Sequence, residues 1–171
     1  MRLIILGAGG HGKVVADLAK QIGTYEQILF LDDHSLDSSV VGVCDDYLKF
    51  NAPDVEMYPA FGDNELRRQW AHRIEEAGIR LALLVHPRSY ISPLAEIERG
   101  CVIMPYAVIN TGCRIGKVCI INFHAVVDHD CILEEGCHIA PGGIVKAANH
   151  LPACTKVDSG EVISYQFHDR S

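Results

Sequence analysis

Every sixth residue from Ile91 to Ile163 is aliphatic: Ile91, Ile97, Ile103, Ile109, Ile115, Ile121, Val127, Leu133, Ile139, Val145, Leu151, Val157 and Ile163. Side chains repeat every two residues in a strand and every 3.6 in a helix, so a sustained beat of six is neither. Such a beat marks a hexapeptide repeat, in which short strands stack coil upon coil into a parallel β-helix. Four residues after each aliphatic comes a mostly small one: Ala95, Cys101, Ala107, Cys113, Cys119, Ala125, Cys131, Cys137 and Gly143. These small residues are expected to turn the tight corners of the coil. Five of the seven cysteines fall there, which reads them as small buried hydrophobes. Cys44 and Cys154 are off the pattern, and the sequence assigns them no role.

The first half follows a different rule. "RLIIL" (Arg2–Leu6) is a short apolar run ending in glycines, and "ILFLDD" (Ile28–Asp33) reads as a second strand. Between them Val15, Leu18, Ala19 and Ile22 have helical spacing. Leu66, Trp70, Ile74 and Ala77 mark a second helix that opens after Asp63 and stops at Gly78. "LALLV" (Leu81–Val85) reads as another buried strand. Strand–helix alternation implies a small parallel sheet with helices on its faces. "HPRSYISP" breaks the pattern, which places a boundary between residues 1–86 and 87–171.

Composition narrows the partners. The net charge of −7 argues against nucleic acid or an anionic membrane. The apolar start is too short for a signal peptide, and no run approaches the roughly 20 residues of a membrane span. Cysteines without a secretory signal point to reduced thiols and a cytoplasmic protein. No C-x-x-C pair occurs, so no zinc site is expected.

"GAGGHG" lies between the first strand and the first helix. Gly7, Gly9 and Gly12 fit G-x-G-x-x-G, and Asp32 follows at the end of the next strand. Glycines let a phosphate approach the backbone, and a helix N-terminus offers free N–H groups. The domain is about the size of one mononucleotide-binding half, so a nucleotide diphosphate is expected rather than hydride transfer. His11 stands where its side chain could meet a phosphate.

A small Rossmann-like α/β domain joined to a hexapeptide β-helix resembles the PglD/NeuD-type nucleotide-sugar acyltransferases. The marks are "GAGGHGKVVADLA", "ILFLDD", "FGDNELRR", "ISPLAEI", "VIMPYAVIN" and "INFHAVVDHDCILEEGCHIAPGG". The resemblance implies a left-handed β-helix with three hexapeptides per coil, so residues 18 apart stack. It implies a UDP-linked amino sugar held at Gly9, Gly10, His11, Gly12, Asp32 and Asp33, with Asn64 and Arg67 nearby. It implies acetyl-CoA as acyl donor and a homotrimer with sites between subunits. The catalytic histidine of the family falls on His129 and its acidic neighbour on Asp130. Asn122 falls on the asparagine facing the sugar, and His138 and Ala147 fall near the acetyl group of the coenzyme. The family continues for more coils, whereas here position four becomes Asn149, Thr155 and Glu161 and the repeat is expected to fade towards "SYQFHDRS". That departure implies fewer contacts to coenzyme A, a different donor, or lost catalysis.

The chemistry of "INFHAVVDHDCI" is consistent with acyl transfer to an amine. Such a reaction needs a base of histidine type, and a carboxylate can fix the tautomer of the ring. Neighbouring strand residues point to opposite faces, so Asp130 can support His129 only if the chain turns there or if the contact crosses to another coil or subunit. Three rivals remain open at this stage. His124 and His129 have the spacing of γ-class carbonic anhydrases, but Tyr106 and Thr111, one coil earlier, are poor zinc sites. A non-catalytic trimer scaffold that binds a nucleotide sugar is a second rival, and a nicotinamide-dependent reductase a third.

Overall fold

The computed structural model describes residues 1–35 and 37–165, so residues 166–171 of the expected fading tail lie outside the described residues. β1 (Arg2–Leu6), β2 (Gln27–Leu31), β3 (Val55–Pro59) and β4 (Arg80–Leu81) form a parallel sheet in the order β2-β1-β3-β4. α1 (Gly10–Ile22) and α2 (Asn64–Glu76) cover opposite faces. Period two in β1 sorts the two cores. Leu3 and Ile5 pack with Val15, Leu18 and Ala19 of α1, while Ile4 and Leu6 pack with Trp70, Ala71 and Ile74 of α2. The Asp63 carboxylate caps α2 by accepting the Leu66 N–H at 2.7 Å.

Two expectations need correcting here. β3 was not anticipated, because "VEMYP" is short, carries Glu56 and ends in proline, yet it pairs beside β1. "LALLV" is not one strand. Arg80–Leu81 closes the α/β sheet, and Leu84–Val85 is already the first strand of the β-helix.

From Leu84 to Ile163 the chain winds a left-handed β-helix of three parallel sheets with five, five and four two-residue strands. In each strand the aliphatic second residue points inward, and Ile103, Ile109, Ile121, Val127, Ile139, Val145 and Val157 are fully buried. Contrary to expectation, the beat does not fade after Gly143. Strands continue through His150–Leu151, Lys156–Val157 and Val162–Ile163.

The small residues do not turn the corners. The turning residue is the one before, the third after each aliphatic, and from Gly100 to Gly160 every such residue has positive φ. Gly100, Gly112, Gly136, Gly142 and Gly160 adopt this freely. Tyr106, Val118, His124, Asp130, Ala148 and Cys154 adopt it against a cost of about 1–2 kcal/mol each. The small residues point inside, where the coil has no more room. Cysteine does more there than fill space. The thiols of Cys101, Cys119 and Cys137 donate to the carbonyls of Gly116, Glu134 and Pro152 at 3.1, 3.2 and 3.2 Å, each in the next coil. Asn149 repeats the move, donating to the Ser164 carbonyl at 3.1 Å, which is how a larger residue is tolerated.

The three outer faces differ. The first presents Leu84, Val102 and Ile120, all buried, then His138 and Lys156. The α/β domain sits on this face, with Leu84, Val102 and Met104 in the same apolar cluster as α1. The second presents Tyr90, Val108, Val126, Ile144 and Val162, apolar and without a partner in one chain. The third presents Glu96, Arg114, Ile132 and His150, a solvated mixture.

Arg67 and Asn64, expected at the sugar nucleotide, instead clamp the two halves together. Arg67 is 0% exposed and has no carboxylate partner among the described residues. Its Nε donates to the Val118 carbonyl at 2.9 Å and its Nη2 to Gly136 at 2.7 Å, while Nη1 reaches the Phe61 carbonyl at 3.0 Å. Asn64 accepts from Arg67 at 2.8 Å and donates to the Cys154 carbonyl at 2.9 Å. Val118, Gly136 and Cys154 are the same corner in three successive coils. Arg67→Ala would orphan the buried Val118 and Gly136 carbonyls, at about 1–3 kcal/mol each. A urea titration followed by Trp70 fluorescence should show the loss, and a wild-type midpoint would remove the clamp from the account.

Candidate active site

"VDHD" runs out of the second face into a corner, with His129 and Asp130 as the two turn residues. The left-handed conformation of Asp130 (φ 58°) swings its side chain back to its neighbour. His129 Nδ1 lies 2.8 Å from Asp130 Oδ2. This resolves the objection that adjacent strand residues diverge, because the pair is on the turn and not on the strand. With Nδ1–H donated to the carboxylate, Nε2 keeps a free lone pair. The ring is 50% exposed, so a reactant can reach it. The hydrogen bond that His129 donates to Asp130 is the main cause that holds the His129 pKa above the ordinary 6.5, with the Asp128 and Asp130 charges adding to it.

Three supporting residues were not singled out from the sequence. Asp128 accepts the His129 backbone N–H at 2.8 Å, and Asn110, one coil earlier, donates to Asp128 at 3.0 Å. A methyl group on Gly112 would collide with the Asp130 carboxylate, so this glycine makes room for the pair. The stacking rule held the signal: each is 18 residues from its contact, Asn110 below Asp128 and Gly112 below Asp130. Ala147 stands one coil beyond His129 at the same corner, buried.

Asn122 lies at the other edge of the second face. Its Oδ1 accepts the Phe123 N–H at 2.9 Å, so its amide nitrogen is the atom 3.2 Å from His138 Nε2. The amide nitrogen donates and His138 Nε2 accepts, so the His138 proton sits on Nδ1, which is buried without a partner among the described residues. Burial first, then Arg67, lowers the His138 pKa to about 4, so the ring is neutral at pH 7. His124 shares this corner and stacks on Tyr106, with ring centroids 5.1 Å apart, one coil below. A single chain thus keeps Asn122 and His138 apart from His129.

The glycine loop is where the motif put it. Gly9 caps α1 without any side-chain partner, and Gly10 is exposed beside it, so the first N–H groups of the helix are open to a ligand. A Cβ on Gly12 would collide with the Gly7 carbonyl, so Gly12 allows the helix to cross the strand closely. His11 turns inward, with Nε2 3.2 Å from the Tyr58 hydroxyl. Burial, then the charges of Arg67 and His138, lowers its pKa to about 4, so it brings no positive charge to a phosphate. Asp32, expected near a nucleoside, accepts from the backbone of Ala8 at 2.7 Å and of His34 and Ser35 at 2.8 and 2.7 Å. Asp33 accepts the Cys44 N–H at 2.9 Å. Both carboxylates thus hold the glycine loop and the segments that follow β2.

Residues 2–74 match the family described as PglD N-terminal domain, and residues 94–129 the bacterial transferase hexapeptide family. The UDP-N-acetylbacillosamine N-acetyltransferase of Bacillus subtilis (strain 168) is 32% identical over 109 residues, covering 58% of this chain. That match spans only 50% of the length of the relative. The acetyltransferase domain of PglB from Neisseria gonorrhoeae FA1090, solved with acetyl coenzyme A, is 36% identical with a TM-score of 0.80. It aligns with 94% of this chain and 86% of its own. PerB from Caulobacter crescentus, solved with CoA and GDP-perosamine, is 29% identical with a TM-score of 0.82, over 96% of this chain and 89% of its own. With both domains, their junction and the repeat shared at this level, the chain belongs to the PglD-type sugar acetyltransferase family.

Proposed function

We propose that this protein transfers an acetyl group from acetyl-CoA to the amine of a UDP-linked amino sugar, with His129 as general base. The observation that carries the reading is the His129–Asp130 pair, held at 2.8 Å on an exposed turn with Nε2 free. The sugar amine attacks the thioester carbonyl while Nε2 removes its proton. The tetrahedral intermediate expels the coenzyme A thiolate, and the imidazolium returns the proton to it. The neutral His138 and Asn122, hydrogen-bonded to each other at 3.2 Å, form the other half of the site. The diphosphate lies at Gly9, Gly10 and Gly12, against the open end of α1. The seven free thiols suit a reducing cytoplasm, and no helix among the described residues is long and apolar enough to cross a membrane.

A threefold assembly completes the site. The first face is covered by the α/β domain and the third is charged, which leaves the apolar second face to pack around the axis. Rotation by a third of a turn about an axis parallel to the β-helix brings the His129 corner of one copy to the Asn122 corner of the next. The two halves of the site, apart in one chain, then meet between subunits.

Mass spectrometry of a reaction with acetyl-CoA and a UDP-amino sugar should show an acetyl mass gain. His129→Ala should lose about 10²–10⁴-fold in rate with its fold intact. UDP-sugar binding without any mass gain from the wild type would instead favour a non-catalytic scaffold.

The raised pKa of His129 sets the pH dependence. The base works only when neutral, so kcat/KM should climb with pH through a midpoint above 6.5. Asp130→Asn removes the largest cause of the shift, so the midpoint should move down and the rate should fall. An unchanged midpoint would take Asp130 out of the mechanism. Gly112→Ala should reproduce part of this loss by pushing the carboxylate aside.

A further inference from the structure

Between α1 and the corner that leads from the first face to the second lies a cavity of about 260 Å³. It is lined by Val14, Leu18, His86, Met104, Pro105 and Phe123. Three of its polar neighbours are tied to one another. His86 accepts the Arg88 N–H on Nδ1 at 3.0 Å and meets Gln21 Oε1 on Nε2 at 2.9 Å, and Gln21 donates to Asp17 at 2.8 Å. Lys13 also lines the cavity, and the rest of what remains open is apolar, with Val14 38% and Phe123 37% exposed. A cavity with most of its polar groups tied off and a mainly apolar wall suits an apolar occupant.

The opposite edge of the second face holds a matching piece. Leu94 is 73% exposed, the most exposed large apolar side chain among the described residues. It stands on the same corner column as Gly112 and Asp130, one and two coils below them. Directly above it Gly112 has no side chain, so Leu94 projects without a neighbour on its column.

Threefold rotation about an axis parallel to the β-helix preserves coil level. Leu94 belongs to the coil of His86, and Met104 and Pro105 to the next, so Leu94 of a second copy arrives at the height of the cavity. Charge agrees with this approach. Arg88, beside the cavity, and Glu96, two residues beyond Leu94, lie in the same coil and carry opposite signs.

We infer that the apolar cavity between α1 and the β-helix is the socket for Leu94 of a second copy of this chain, which seats the His129 corner of that copy against the substrate domain. The inference rests on the threefold arrangement proposed above and adds its locking contact. Two coils separate Leu94 from the Asp130 level, so the socket sets the approach of His129 without touching substrate, and Leu94 is a positioning residue.

The test is a pair of cysteines, Val14→Cys with Leu94→Cys, in the full-length protein under mild oxidation. A covalent trimer on a non-reducing gel is expected from the double variant and from neither single variant. Sedimentation velocity of Leu94→Asp should show dissociation towards monomer, with the far-ultraviolet spectrum unchanged because the residue is exposed. A wild-type trimer whose double variant does not crosslink would overturn the inference, as would a wild-type monomer. So would a Leu94→Asp variant that stays fully trimeric. Neither readout depends on catalysis. A double variant that crosslinks, beside a wild type that shows no acetyl mass gain, would therefore reject the proposed reaction and leave the socket standing.

Discussion

The interior of the coil admits one aliphatic and one small side chain in every six residues, and the rest of the molecule depends on that limit. An aliphatic such as Ile121 or Ile139 fills each strand position inside. From Ala95 to Gly143 a cysteine, alanine or glycine fills the space beside each corner, and Cys101, Cys119 and Cys137 also donate to a carbonyl of the next coil. Burying each aliphatic contributes about 1.5–3 kcal/mol. That gain outweighs the backbone cost of placing Val118, His124 or Asp130 in a left-handed turn.

The same geometry produces the site. A corner residue with positive φ aims its side chain back along the chain, so two neighbours in sequence can touch. On a strand they could not. His129 and Asp130 meet for this reason, and Gly112, one coil below, leaves the carboxylate its room. Stacking then recruits Asn110 to Asp128, which holds the His129 backbone. The proposed base, its carboxylate and their support arise from two coils of one corner.

The α/β domain contributes through where it docks. It covers the first face, gripping one corner through α2 with Arg67 and Asn64 and packing α1 against the other. The guanidinium of Arg67 has only neutral oxygens for partners, an arrangement with a high desolvation cost. Its charge contributes to keeping His11 and His138 neutral. One residue thus joins the halves and adds to the burial that keeps two imidazoles near the seam neutral. Covering the first face also leaves the second as the apolar face without a partner among the described residues, the face on which the proposed trimer relies.

The repeat, the glycine loop and the helix cap at Asp63 are local or periodic, and the sequence by itself determined them. Chain spacing alone encodes which residues face inward and which stack 18 apart. The His129–Asp130 pair was legible as a candidate, because histidine beside carboxylate has a chemical meaning wherever the chain bends. Contacts between distant segments were not legible. Arg67 reads as a ligand contact in "FGDNELRR" and becomes a buried clamp, because its carbonyl partners lie 51 and 69 residues away. Asp32 and His11 turn to the backbone and to Tyr58 for the same reason. Only the tertiary structure decided which face of the coil the first domain would cover, since all three share one inward beat and two of them carry apolar outward residues.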